Sequence, residues 1–220
     1  MNELQAIVFI VDDDPSLCKA LGRLLAGAGY RAETFGSAEE FLRRERVEGP
    51  ACLLLDLSMP GMDGLALQTH LAGLDWEPSI VFLTGHGRIR TSVQAMKAGA
   101  VDFLTKPVDE AVLLSAVSDA LERQRARLEQ QHEQSRARAR LAGLTPRERE
   151  VAAFVVEGRR NKQIAFELGI AEKTVKVHRG RVMDKTGTRS AAELVHLWMI
   201  AARDTDSMHE LPASGNDPEG

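Results

Sequence analysis

The chain has 220 residues, of which 44% are hydrophobic and 27% charged, and its net charge is -4. These values are typical of a globular protein with one large domain or two small ones. No apolar run approaches the roughly 18 residues of a membrane span, and no secretory cleavage pattern precedes the first apolar run, so we expect no membrane partner. The two cysteines, Cys18 and Cys52, lack metal or redox spacing. They are predicted to be buried, free thiols of a cytoplasmic protein.

Charge is distributed unevenly along the chain. Residues 1–122 carry 10 Lys and Arg against 18 Asp and Glu, whereas residues 140–203 carry 13 against 7. An acidic first part and a basic second part indicate different partners, with nucleic acid the first candidate for the basic part. Residues 205–220 are acidic and rich in turn formers, which predicts a disordered tail.

The first 122 residues alternate short apolar runs with amphipathic stretches. Strands are predicted at 6–11, 31–35, 52–56, 80–84 and 102–105, and helices near 15–28, 38–46, 64–74, 90–98 and from 109 onward. Five strands alternating with five helices predict an α/β fold, a doubly wound, five-stranded parallel sheet covered on both faces. Such sheets bind ligands at the carboxyl ends of the strands, where the strand order reverses.

Unusual polar residues stand at those strand ends. They are Asp12 and Asp13 after the first strand, Asp56 at the end of the third, Thr84 at the end of the fourth and Lys106 after the fifth. Three carboxylates favour a hard divalent cation such as Mg²⁺. A carboxylate can also attack phosphorus to form an aspartyl phosphate, with a hydroxyl and an ammonium to receive the phosphoryl oxygens.

This combination over residues 6–121 resembles the CheY-like receiver domains of two-component response regulators. The resemblance implies that Asp56 accepts a phosphoryl group from a sensor histidine kinase, assisted by Thr84 and Lys106. It places Mg²⁺ on Asp12, Asp13, Asp56 and the backbone carbonyl of Ser58. It also implies a switch pair, Thr84 and Phe103, a cis peptide at Lys106–Pro107, and two positions that tune phosphoryl lifetime, Ser58 and His86. Asp14 matches no ligand position and is predicted to cap the first helix.

Residues 123–140 contain no Gly or Pro and are predicted to form a continued helix or a semi-flexible linker. Leu114, Leu121 and Leu128 recur at intervals of seven, which is weakly typical of a paired helix. A solvated, charged helix is the alternative interpretation.

The basic part begins with a helix start, "LTPREREV", in which Thr145 is the predicted N-cap, Pro146 the first helical residue and Glu148 the capping-box acid. Two further helical patterns are separated by Gly169, and the second is rich in Lys and Arg. Helix, glycine-containing turn and basic helix predict a helix-turn-helix that enters a major groove. From charge and pattern alone, a helical interaction module with a solvated basic face is the alternative.

Three stretches, "LTPREREV", "NKQIAFELGIAEKTVKVH" and "RSAAELV", resemble the LuxR-type DNA-binding domain, here 141–204 with its motif at 161–180. With the receiver, the architecture resembles the NarL/FixJ family, FixJ-like branch. The likeness assigns base contacts to Lys176 and Val177, and phosphate contacts to Lys162, Lys173, Thr174 and Arg179. Because Gly180 has no side chain at a further base-facing position, Arg181 or DNA shape is expected to replace that contact.

These features predict a phosphorylation-activated DNA-binding regulator of transcription that is not an enzyme, dimerises on phosphorylation and acts with RNA polymerase at promoters. The last helix, at 190–203, is expected to pack on the recognition helix and pair with a second subunit. One alternative is a Mg²⁺-dependent phosphatase of the haloacid dehalogenase type, which would need an acid where Ser58 stands. Another is a phosphorylation-switched protein or RNA binder.

Overall fold

The structure is a computed structural model that describes residues 6–203 except 73, 75 and 86–88. The chain divides into two compact units between Leu128 and Glu129. The predicted disordered tail and His86 lie outside the described residues. Of the helices that the structure describes, none is both long and apolar enough to cross a membrane.

The first unit contains a five-stranded sheet in the order β2-β1-β3-β4-β5, and all four strand pairs are parallel. The strands are β1 Ile7–Val11, β2 Arg31–Phe35, β3 Ala51–Asp56, β4 Ser79–Thr84 and β5 Asp102–Thr105. The helices are α1 Pro15–Gly27, α2 Ala38–Leu42, α3 Gly64–Leu71, α4 Ile89–Lys97 and α5 Glu110–Ala142. The predicted doubly wound sheet is therefore confirmed.

Alternate residues of each strand serve the two faces of the sheet. Val8 and Ile10 pack with residues of α1 and α5, such as Leu25, whereas Phe9 packs with residues of α2, α3 and α4, such as Leu67. Because both faces are covered, β1 is apolar throughout and β3 is apolar up to Asp56. Both cysteines are free and buried, as predicted.

Side-chain caps fix the starts of the first two helices. Asp14 Oδ1 accepts hydrogen bonds from the Ser16 and Leu17 amides, which confirms its predicted capping role. The Ser37 side chain likewise caps α2. That helix ends at Leu42 rather than at the predicted 46, and Arg44, just beyond its end, pairs with Glu33 and lies 4.0 Å over the Phe9 ring.

Gln68 of α3 holds the carboxyl-terminal end of α4. Its side chain is buried, and its Nε2 donates to the carbonyls of Ala95 at 3.1 Å and Ala98 at 3.0 Å. Carbonyls at a helix end lack hydrogen-bond donors within the helix, so the Gln68 amide supplies these donors.

Helix α5 continues through the predicted linker to Ala142, which confirms the continued-helix interpretation of 123–140. Leu121 is buried and Leu114 half-buried against the core of the first unit. The interpretation of the recurring leucines as a paired-helix seam is therefore wrong for these two residues, since they pack on their own sheet. The end of the predicted linker belongs to the second unit, because Ala137 is buried in the core of that unit.

The second unit adds four helices to the end of α5. They are α6 Pro146–Val156, α7 Asn161–Leu168, α8 Glu172–Thr186 and α9 Ala191–Ala202. Thr145 and Glu148 form the predicted capping box at the start of α6. Gly169 ends α7 with φ of 62°, in the left-handed region that favours glycine. Helices α7 and α8 therefore form the predicted helix-turn-helix, and α8 continues beyond 180.

Gly64 permits α3 to begin against the end of β3. A Cβ at this position would lie 2.5 Å from the backbone oxygen of Asp56 and 3.0 Å from the Phe82 ring. We expect Gly64→Ala to lower the free energy of unfolding by about 1–3 kcal/mol, because the backbone of β3 cannot give way cheaply. Urea unfolding measures the change.

The control is Gly27→Ala in α1, where an added Cβ meets no atom within 4 Å. It should leave stability unchanged or raise it by up to about 1 kcal/mol. A Gly64→Ala variant as stable as the Gly27→Ala variant would contradict the steric argument.

Candidate phosphoacceptor site and nucleic-acid interface

The polar site forms where the strand order reverses, between β1 and β3. Val11 pairs with Leu55 in the parallel register, so the next residues, Asp12 and Asp56, leave the sheet side by side. Both side chains are almost completely buried, with exposed fractions of 1% and 5% for the residues. Two neighbouring buried carboxylates repel each other unless a cation joins them.

Lys106 supplies that cation. Its ammonium lies 2.5 Å from Asp12 Oδ2 and 2.6 Å from Asp56 Oδ1. Burial alone would lower the pKa of Lys106, but the hydrogen bonds and charges of Asp12 and Asp56 outweigh it and raise that pKa above its ordinary value. The ammonium therefore remains charged and joins both carboxylates.

Backbone amides bind the remaining carboxylate oxygens. The Asp14 amide donates to Asp12 Oδ1 at 3.0 Å, and the Ser58 amide donates to Asp56 Oδ2 at 2.9 Å. These two hydrogen bonds fix the orientation of both carboxyl groups. Asp56 is thus held with one oxygen toward Lys106 and the other toward the loop that follows β3.

Two carboxylates of the site carry the type of oxygen donor that hard divalent cations take. Asp12 and Asp56 offer carboxylate oxygens on either side of one ammonium, and Mg²⁺ takes one or two carboxylates together with water and phosphate oxygens. Asp13 is exposed. Within the described residues no three His, Cys, Asp or Glu side chains lie close enough together to hold a metal, so Asp13 does not join the other two as a preformed triad.

Thr84 and Phe103, the predicted switch pair, lie at the ends of β4 and β5. Thr84 is buried, with 2% of its surface exposed, and its carbonyl accepts from the Lys106 amide at 2.7 Å. Phe103 is half-buried, and its ring centre lies 6.2 Å from that of Phe82. The Lys106–Pro107 peptide is cis. The backbone hydrogen bond between Lys106 and Thr84 thus joins the end of β4 to the residue that follows β5.

The second unit exposes a polar and basic surface on its helix-turn-helix. Val175 and Val182 of α8 are buried, whereas the residues predicted to meet DNA are exposed, apart from half-buried Arg179. Those exposed residues are Lys162, Lys173, Thr174, Lys176, Val177 and Arg181. Gly180 is also exposed, and a Cβ added there would meet no atom within 4 Å. The exposed side of α8 has the composition that a major-groove helix needs.

Two cations of α8 have partners inside the unit. Arg179 donates to Asn161 Oδ1 at 3.1 Å, which joins α8 to α7. Lys185, one of the basic residues of α8, lies 2.6 Å from the buried carboxylate of Glu148. This ion pair joins α8 to the capping box of α6, so Lys185 serves the fold. Sequence reasoning missed it, because the only hint was an acid at a capping position.

Comparison with known proteins finds a family match for each of the two parts of the chain. The receiver-domain model of response regulators matches residues 8–118, and the model of bacterial regulatory proteins of the luxR family matches residues 142–198. Nodulation protein W of Bradyrhizobium diazoefficiens is 46% identical over 88% of this chain and 85% of its own length. The chain belongs to the NarL/FixJ family of response regulators.

Other relatives agree with this family. The transcriptional regulatory protein FixJ of Azorhizobium caulinodans is 38% identical over 88% of this chain and 92% of its own. The solved structure of the response regulator StyR shares 46% identity with a TM-score of 0.80, covering 89% of this chain and 98% of that one. The family consists of DNA-binding regulators of transcription rather than catalytic enzymes, so the phosphatase alternative is wrong. Its receiver implies a histidine kinase partner and its luxR-type domain implies DNA binding.

The Lys185–Glu148 ion pair makes the second unit sensitive to acid. The Lys185 hydrogen bond, with the Thr145 amide, lowers the pKa of Glu148 from 4.5 to about 2. This stabilisation is present above about pH 4.5 and is lost as pH falls toward 2. Glu148→Gln should therefore lower the thermal midpoint at neutral pH, and its difference from wild type should shrink over that acid range.

Circular dichroism of the full chain at several pH values measures both effects. Glu150→Gln is the control, because it removes an exposed ion pair with Arg147, and such pairs contribute little. If the thermal midpoint of Glu148→Gln stays below that of wild type by the same amount from neutral pH to pH 2, the Lys185–Glu148 ion pair is not the cause of the acid sensitivity.

Proposed function

We propose that Asp56 is the phosphoacceptor through which a sensor histidine kinase controls DNA binding by this regulator. The observation that carries the proposal is the contact of the Lys106 ammonium with both Asp12 and Asp56 at the reversal of strand order. A carboxylate at this place has an orientation held by hydrogen bonds, a neighbouring cation and a position at the carboxyl end of a parallel strand, where such sheets bind ligands.

In the proposed transfer, an Asp56 carboxylate oxygen attacks the phosphorus of a phosphohistidine. The new O–P bond forms as the N–P bond breaks, and the imidazole leaves with the electron pair of that bond and takes up a proton. Lys106 stabilises the negative charge that develops on the phosphoryl oxygens, since it already lies 2.6 Å from the attacking carboxylate. The Thr84 hydroxyl is the second proposed donor.

Receiver domains typically use Mg²⁺, and we assign it to Asp12, Asp13, Asp56 and the backbone carbonyl of Ser58. When bound, this ion would offset the charge of the carboxylates and of the phosphoryl oxygens. The two buried carboxylates, already paired with one cation, support the assignment, and exposed Asp13 lies next to Asp12 in the chain.

Phosphorylation is proposed to act through Thr84 and Phe103 on the surface of α4 and β5. Helix α4 exposes Val93 and Met96, with 48% and 44% of their surfaces accessible, and α5 exposes Val112. Exposed apolar side chains of this kind suit a dimer interface. Moving the receiver from about 1% to about 99% active requires roughly 5.5 kcal/mol of differential stabilisation, which a phosphoryl group and an interface together can supply.

The dimer would present two copies of α8 to DNA. We propose that Lys176 and Val177 contact bases, that Lys162, Lys173, Thr174 and Arg179 contact phosphates, and that Arg181 contributes near Gly180. The exposure of all of these residues except half-buried Arg179 supports the assignment. Function at a promoter places the protein in the cytoplasm, with RNA polymerase as a further proposed partner.

Asp56→Asn should abolish phosphorylation. With Mg²⁺ and a small acyl phosphate such as acetyl phosphate, we expect wild type to gain one phosphoryl group and the variant none, because an amide oxygen is a poor nucleophile. Intact-protein mass spectrometry measures the gain. Asp63→Asn is the matched control, since Asp63 caps α3 and Asn caps equally well. A phosphorylated Asp56→Asn protein would place the acceptor elsewhere.

Selection from random duplexes, with and without beryllofluoride, tests the DNA-binding half. We expect beryllofluoride to increase enrichment of sites with two half-sites spaced by about one helical turn. Lys176→Ala should relax preference at one base position by about 1–3 kcal/mol, whereas Lys173→Ala should weaken binding to every duplex and reduce the salt slope by about 1. Equal binding to all duplexes would favour a binder without DNA specificity.

A further inference from the structure

The recognition helix α8 receives a cap from outside the helix-turn-helix. Arg140, near the end of α5, donates from Nε to the carbonyl of Thr186, the last residue of α8, at 2.6 Å. A Cβ on Gly187 would lie 3.4 Å from Arg140 Nη2, so the guanidinium rests against the turn that ends the helix. A cation at a helix carboxyl end meets both an unpaired carbonyl and the negative end of the helix dipole.

The capped end of α8 is buried and hydrogen-bonded. Thr186 is fully buried, its hydroxyl donates to the Val182 carbonyl at 2.7 Å, and it lies 2.8 Å from the Thr188 hydroxyl. Gly187 has φ of 62°, which closes the turn directly after the cap. The guanidinium of Arg140 therefore binds a buried, hydrogen-bonded end of the helix.

Arg140 is itself held in place by its own helix. One turn earlier, Ala137 of α5 is buried in the core of the second unit. Two neighbours on α5 cap α9 in the same way, since Arg138 donates to the Ala201 carbonyl at 3.0 Å and Gln134 donates to the Arg203 carbonyl. The end of α5 thus caps α8 through one side chain and α9 through two others.

We propose that Arg140 is a positioning residue for DNA readout, which it serves by fixing the carboxyl end of α8 rather than by contacting DNA. The proposal rests on the proposed role of α8 in reading bases. Those base contacts are made by side chains whose productive geometry tolerates little displacement, whereas phosphate contacts are more tolerant. Loss of the cap should therefore weaken specific binding much more than non-specific binding.

The experiment compares full-length wild type, Arg140→Gln and Arg138→Gln on a selected duplex and on a random duplex over a range of salt. Arg138→Gln is the matched control, because it removes the same charge from the same helix but a cap from α9. For Arg140→Gln we expect about a tenfold loss of the specific-to-random affinity ratio, the scale of one charge-assisted hydrogen bond, with an unchanged salt slope. Arg138→Gln should keep the ratio.

Several outcomes would overturn the proposal. Equal weakening on both duplexes with a salt slope reduced by about 1 would make Arg140 a phosphate contact. An equal loss of the specific-to-random affinity ratio in Arg140→Gln and Arg138→Gln would indicate a general effect of charge or packing. An unchanged ratio in Arg140→Gln would show that Arg140 has no role in DNA readout. A wild type without preference for the selected duplex would instead refute the proposed function of α8.

Arg140→Lys keeps the charge and one donor, and covers the case in which Arg140→Gln fails to fold. It should retain thermal stability and show a ratio between those of wild type and Arg140→Gln, because an ammonium cannot reproduce the planar, directed hydrogen bond of the guanidinium to the Thr186 carbonyl. A fully wild-type ratio in a folded Arg140→Lys protein would show that charge alone is sufficient and that the positioning contact is unnecessary.

Discussion

The contact of one ammonium with two buried carboxylates organises the first unit. Parallel register brings Asp12 and Asp56 out of adjacent strands, and their proximity would be costly without Lys106 between them. The lysine follows β5, with β4 between it and β3, so only a long side chain can reach both acids. Sheet order, strand ends and the cis peptide after Lys106 thus all meet at one charged cluster. A group that changes the charge of that cluster acts on three strands at once.

The second unit depends on a comparable use of charge at helix ends. Glu148 caps α6 and also binds Lys185 of α8, while Arg140 and Arg138 of α5 cap α8 and α9. Small helical domains have little core, and polar contacts at helix termini connect elements whose apolar contact is limited. Part of the basic character of this unit therefore maintains its structure, and only the remainder is available to nucleic acid.

Sequence reasoning located the strand ends well, because buried runs such as that of β3 stop at an acid or a turn former. It also predicted that Asp12, Asp56 and Lys106 lie together, since carboxyl ends of parallel strands share an edge. It failed where long side chains choose distant partners. Arg44 turns back to Glu33 and Phe9 where a longer α2 was expected, and Lys185 and Arg140 bind groups 37 and 46 positions away. Such long-range contacts leave no signal in the local sequence periodicity, because they depend on tertiary proximity.

Position 180 of the recognition helix can accept a side chain without a steric clash inside the protein. Its backbone is helical, its surroundings are open, and a new side chain would meet no protein atom within 4 Å. Alanine there would even favour the helix by about 1 kcal/mol. On the proposed placement of Gly180 toward a base, duplicated copies of this gene could acquire different operator preferences through one codon, without compensating changes in the core. Because Gly180 lies in the second unit, such a change would leave the proposed phosphoacceptor site of the first unit unaltered, and one kinase input could be redirected to new genes.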